Sequence, residues 1–103
     1  MQSLPIAVVG GGVTGLAAAY ALTRAGKSVR LFEAGERLGG VIQTEIDSQG
    51  WLIEAGPNSL LLGDPAIVQL LDQLGLSPKL CEASPAAKNR YIVRDGRPQA
   101  VPT

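Results

Sequence analysis

Ile6-Ala7-Val8-Val9-Gly10-Gly11-Gly12-Val13-Thr14-Gly15 is the stretch whose reading decides the fold. Leu16-Ala17-Ala18-Ala19-Tyr20-Ala21-Leu22 follows it, and Ser28-Val29-Arg30-Leu31-Phe32-Glu33 closes the unit. The order reads as strand, glycine turn, helix, strand, acid. The apolar run 6–9 does not alternate, which predicts a parallel strand covered on both faces. Gly10, Gly12 and Gly15 form G-x-G-x-x-G. In that pattern the first glycine permits a tight turn, the second lets a pyrophosphate approach the backbone, and the third lets the helix lie close to the strand. Ala17, Ala18 and Ala21 keep the helix thin, and Gly26 is placed to stop it in a left-handed conformation.

Glu33 follows Gly15 by 18 residues, close to the ~20 expected for an acid that binds the ribose of a dinucleotide. Its carboxylate can accept from both ribose hydroxyls. It would also repel a 2′-phosphate, which argues against NADP. The unpaired N–H groups at the start of the helix, with its positive dipole end, suit the phosphates. Gly10, Gly11, Gly12, Val13, Thr14 and Gly15 are therefore candidate cofactor residues. The motif alone does not separate FAD from NAD, and glycine turns also serve packing alone.

The chain has 103 residues, enough for one domain with a modest core. Formal net charge is zero, so no general attraction for polyanions is expected and nucleic acid is an unfavoured partner. The charge is uneven. Residues 33–78 carry seven acids against Arg37, whereas residues 79–103 carry five bases against Glu82 and Asp95. There is no histidine, which excludes a histidine-based triad or metal site within this chain. Cys81 stands alone, so no intrachain disulfide forms, and it reads as a small apolar residue. The first strand begins within a few residues of Met1, leaving no room for a signal or transit peptide. No apolar run reaches the ~18 residues of a membrane span. The expected location is cytoplasmic.

Working outward, Arg37-Leu38-Gly39-Gly40 offers a second place where backbone can approach a ligand. Arg37 could bring positive charge to a pyrophosphate, or be a solvated turn residue. Residues 41–46 and 51–54 predict a hairpin turning through Asp47-Ser48-Gln49-Gly50, with Trp51 packed in the core or on the hairpin. Gly56-Pro57-Asn58-Ser59 predicts a fixed loop. Asp64 and Pro65 open a helix as N-cap and first residue. Its stripe Ile67, Leu70, Leu71 and Leu74 is expected in the core. Gly75 ends the helix, and Pro78 prevents a restart. Ser84 to Ala87 is a connector and the best domain boundary. Beyond it, 90–94 and 97–101 predict a hairpin about a type I′ Asp95-Gly96 turn, with Pro98 confining the second strand to an edge. Pro102 and Thr103 end the chain just beyond.

Taken in this order, the fingerprint, Glu33 and Arg37-Leu38-Gly39-Gly40 resemble the flavin amine oxidase superfamily. Gly56-Pro57-Asn58-Ser59 and residues 88–98, Lys-Asn-Arg-Tyr-Ile-Val-Arg-Asp-Gly-Arg-Pro, resemble its oxygen-dependent protoporphyrinogen oxidase branch. The resemblance implies a Rossmann-like α/β fold binding FAD over residues 1–83 and the first hairpin of a substrate domain over 84–103. It implies that Gly10 to Gly15 hold the FAD pyrophosphate and that Glu33 with Ala34 holds the adenosine ribose. Arg37, Gly40 and Val41 would follow the dinucleotide. Gly56, Pro57, Asn58 and Ser59 would lie by the flavin, with Asn58 also facing the substrate. Arg90 would pair with a substrate carboxylate.

The implied reaction is oxidation of protoporphyrinogen IX to protoporphyrin IX with dioxygen, in porphyrin biosynthesis. The flavin does the redox chemistry, so no residue here is assigned as catalytic and none as a metal ligand. The resemblance covers only the N-terminal part of that longer family. The segment that closes the FAD site and any surface touching the inner membrane lie in parts absent here. Residues 1–103 alone are therefore expected to be inactive, to bind FAD weakly and to self-associate. The alternatives are another member of the superfamily, such as an amine oxidase or carotenoid desaturase, and a non-catalytic nucleotide-binding module.

Overall fold

The computed structural model describes residues 3–101. Strand β1 (Ile6–Val9), helix α1 (Val13–Arg24) and strand β2 (Val29–Phe32) form the first element group. The strands pair in parallel, from Ile6 opposite Val29 to Val9 opposite Phe32. Helix α1 packs against both strands, as a βαβ crossover requires. Its N-cap is Gly12, which supplies no side-chain cap. The helix ends before Gly26, whose φ of 75° stops it as the sequence predicts. The fold is α/β, as expected.

Strands β3 (Thr44–Ile46) and β4 (Leu52–Glu54) form an antiparallel hairpin. The Asp47 carboxylate accepts from the N–H groups of Gln49 and Trp51 at 2.8 and 2.9 Å, which holds the turn. The first strand is shorter than the sequence predicts. Val41 and Ile42 stay outside the ladder, and Gln43 keeps only its carbonyl in it, accepting from Ala55 N–H at 2.9 Å. The Arg37 guanidinium takes the carbonyls of Gly40 and Ile42, and the Ile42 N–H turns back to Gly39 O. Groups used in this way are not free to pair with a strand.

Helix α2 (Pro65–Gln73) is capped by Asp64, whose carboxylate accepts from Ala66 N–H at 2.9 Å. The predicted barrier at Pro78 is not one. A 3-10 turn runs over Ser77–Lys79 with Pro78 inside it, because the first positions of a helical turn need no N–H donor. The connector is also more ordered than predicted, since Pro85–Lys88 forms a second 3-10 turn begun by Ser84.

Strands β5 (Tyr91–Arg94) and β6 (Arg97–Ala100) form the last hairpin. Asp95 and Gly96 have φ of 51° and 72°, which is the type I′ geometry predicted. Pro98 sits opposite Val93. The bond from Val101 N–H to Arg90 O fixes the alternation, so Pro98 takes a position where no ladder donor is needed. Pro102 and Thr103 lie outside the described residues.

The chain divides into two compact units on either side of the Leu60–Leu61 bond. The expected core is not found. No apolar side chain among the described residues is fully buried. Val9 is 84% exposed, so β1 is not covered on both faces. Trp51 and Leu74 are exposed, while Ile67, Leu70 and Leu71 are half-buried. The cause lies in the number of layers. One helix covers one face of a two-stranded sheet, and each hairpin packs on no other helix or strand of its own unit among the described residues.

Candidate functional site

The site is built where β1 hands over to α1. Gly10 N–H still bonds Phe32 O at 2.7 Å, and the chain then turns into the helix. A Cβ on Gly15 would lie 1.8 Å from Gly10 O. Only glycine lets the helix approach its own strand this closely. On the outer side of the turn, a Cβ on Gly12 would meet nothing nearer than Gly40 Cα at 4.0 Å. The turn is therefore open at the position a phosphate would take, and among the described residues no side chain caps the first N–H groups of α1. This cradle fits a pyrophosphate.

Glu33 lies directly after β2 and reaches back to the turn. Its Oε2 accepts from Gly11 N–H at 2.7 Å and its Oε1 from Gly35 N–H at 2.8 Å. These two bonds, Gly35 first, hold its carboxyl below the ordinary value. Partial desolvation opposes them, and Arg37 adds a smaller pull in the same direction as the bonds. Each carboxylate oxygen keeps further lone pairs, so the group can still accept from a vicinal diol.

The second glycine pair is brought onto the first. Gly39 N–H donates to Gly11 O at 2.8 Å, and Gly12 and Gly39 form a parallel bridge. The Arg37 guanidinium is turned onto its own loop. Its Nη1 donates to Leu38 O at 3.2 Å and Ile42 O at 3.3 Å, and its Nη2 to Gly40 O at 2.5 Å and Gln43 Oε1 at 2.9 Å. Gln43 in turn donates to Glu45 at 2.9 Å. Val41 then passes Gly56, where a Cβ would lie 1.9 Å from Val41 O. The loop carrying Gly56, Pro57, Asn58 and Ser59 thus starts beside the Val41 segment, with all four residues exposed.

Two features were not read from the sequence. A Cβ on Gly11 would meet the ends of the Leu38 and Glu33 side chains at 2.6 and 2.8 Å, so a larger residue there would push Glu33 off the turn; the motif treats this position as variable. Gln43 braces Arg37, and nothing in its local sequence marks it. Arg90 belongs to the other unit, immediately before β5, and is exposed.

The chain matches the family described as flavin containing amine oxidoreductase over residues 13–102. It is 43% identical over 98 residues to protoporphyrinogen oxidase 2, chloroplastic/mitochondrial, of Arabidopsis thaliana, which covers 95% of this chain and 19% of that protein. It is 40% identical over 75 residues to coproporphyrinogen III oxidase of Propionibacterium freudenreichii subsp. freudenreichii, covering 73% of this chain and 14% of that one. Among solved structures it is similar to a candidate protoporphyrinogen oxidase from Exiguobacterium sp. 255-15. The TM-score is 0.77 at 36% identity, over 97% of this chain and 22% of the other. The chain thus spans about a fifth of the length of the first of these relatives. Among the described residues no helix is long and apolar enough to cross a membrane.

Proposed function

The chain belongs to the flavin containing amine oxidoreductase family, and from that premise we propose that it forms the N-terminal FAD-binding part of a protoporphyrinogen oxidase. One observation carries the reading: the Gly12–Gly39 bridge sets both glycine motifs and the Glu33 carboxylate around a single open turn. A dinucleotide needs its pyrophosphate and its ribose held together, and this arrangement offers both. Gly10 to Gly15 hold the pyrophosphate, and Glu33 with Ala34 holds the adenosine ribose. Arg37 shapes the loop that carries Gly40 and Val41 along the dinucleotide. Gly56, Pro57, Asn58 and Ser59 lie by the flavin, and Asn58 and Arg90 meet the substrate. Residues 1–83 form the FAD-binding region and 84–103 open the substrate domain.

The flavin, when bound, accepts hydride equivalents from protoporphyrinogen IX and passes them to dioxygen, releasing hydrogen peroxide. This chain's residues bind and orient. The whole protein works in the cytoplasm, with peripheral contact to the inner membrane through parts outside this chain. Support for the substrate comes from the relatives' names and from the exposed guanidinium of Arg90, which suits a planar carboxylate.

The test is flavin analysis and porphyrinogen oxidation by the full-length protein. Extracted FAD and a rise in porphyrin fluorescence are expected. A colourless protein that cannot be reconstituted with FAD and binds NAD tightly would overturn the reading. Arg90→Ala should raise KM for protoporphyrinogen and leave flavin content intact. Lost flavin with unchanged KM would remove Arg90 from the substrate site.

A further inference from the structure

Strand register places three arginines on one face of the last hairpin. Arg94 stands directly opposite Arg97, and Ile92 opposite Gln99. Side chains alternate along a strand, so Arg90, two residues before Ile92, shares that face. Tyr91, Val93, Pro98 and Ala100 take the other. Like charges directly opposite one another destabilise an antiparallel pair. Nothing among the described residues compensates: Arg90, Arg94 and Arg97 are exposed, and no hydrogen bond from their guanidinium groups is found there. A planar anion between Arg94 and Arg97 would relieve the repulsion and accept from both forks.

We propose that Arg94 and Arg97 form a second carboxylate-binding site for the porphyrinogen, separate from the one at Arg90. The proposal rests on the substrate reading given above. Four strand steps separate Arg90 from Arg94, roughly 13–14 Å at ~3.4 Å per residue. The two sites therefore take carboxylates from different edges of one macrocycle: protoporphyrinogen IX, with both propionates on neighbouring rings, fills one site at a time, and a porphyrinogen with acidic groups on more than one edge fills both. A nucleic-acid ligand fits less well. Base stacking needs an aromatic side chain, and Tyr91 is on the opposite face.

The test is titration of the full-length flavin-loaded protein with coproporphyrin III, its uncharged tetramethyl ester and protoporphyrin IX. The double variant Arg94→Gln/Arg97→Gln should weaken coproporphyrin binding on the order of tenfold or more. It should leave the ester unchanged, remove any preference for coproporphyrin over protoporphyrin, and keep or raise Tm. Wild-type binding of coproporphyrin by the double variant would overturn the second site while the substrate reading stands. Equal loss for acid and ester, or a fallen Tm, would make the arginines structural and overturn it too. Selective loss of RNA binding would replace it with a polyanion surface. A flavin-loaded wild type that binds no porphyrin would overturn the substrate reading itself, and this site with it.

Discussion

Glu33 is the residue on which the site turns. One carboxylate serves the glycine turn through Gly11 and its own loop through Gly35, before any ligand is considered. Glu33→Gln keeps the shape and removes the charge, so it should weaken FAD binding on the order of tenfold, read by flavin titration of the full-length protein. Affinity equal to wild type would show that Glu33 does not hold the ribose. The sign with pH follows from the lowered value. The group's contribution to folding is present above its ordinary value near 4.5 and is lost as pH falls through the lowered folded value. Acid unfolding of Glu33→Gln should lack that part of the acid limb. Gly15 is the second decisive residue. In Gly15→Ala the new methyl would meet Gly10 O at 1.8 Å, and both partners are backbone. Helix and strand must part, at a cost of roughly 1–3 kcal/mol or more. Thermal denaturation of the full-length protein should show a lowered Tm together with lost flavin.

At the scale of elements, local chemistry explains most of what forms. Helix α2 starts where Asp64 caps it and stops at Gly75, whose φ is 67°. Asp64→Ala should cost about 1 kcal/mol of helix stability. Hydrogen exchange in the first turn, at Val68 and Gln69, should then speed up by roughly fivefold, and unchanged protection would show the cap to be idle. The last hairpin follows in the same way from Asp95-Gly96. Element boundaries were less legible where a distant side chain intervened. Residues 41–43 have strand composition, yet the guanidinium of Arg37 claims the Gly40 and Ile42 carbonyls, and only Gln43 O still reaches the partner strand. Pro78 reads as a stop, yet a single 3-10 turn accommodates it.

The whole molecule is short of cover. Leu61, Val41 and Trp51 are more than two-thirds exposed, and an exposed apolar surface of this extent favours association. Residues 1–103 alone should elute above monomer size and show weak, substoichiometric FAD binding with no oxidase activity. A stable monomer holding FAD stoichiometrically would instead support a self-contained binding module. The expectation of a modest core failed at this scale, because apolar periodicity reports which side chains prefer burial and not whether a second layer is there to bury them.

The sequence by itself determined the βαβ unit, the helix caps, the type I′ turn and the position of Glu33. Each depends on residues a few places apart, or on a spacing that one crossover helix sets. Only the tertiary structure decided that Gly39 bridges Gly12, that Arg37 turns inward onto its loop, that Gly56 passes under Val41 O and that Gly11 faces the Leu38 and Glu33 side chains. Those contacts join segments whose separation in the chain carries no period, and backbone approaches of this kind leave no mark in the sequence beyond a glycine whose reason cannot be read locally.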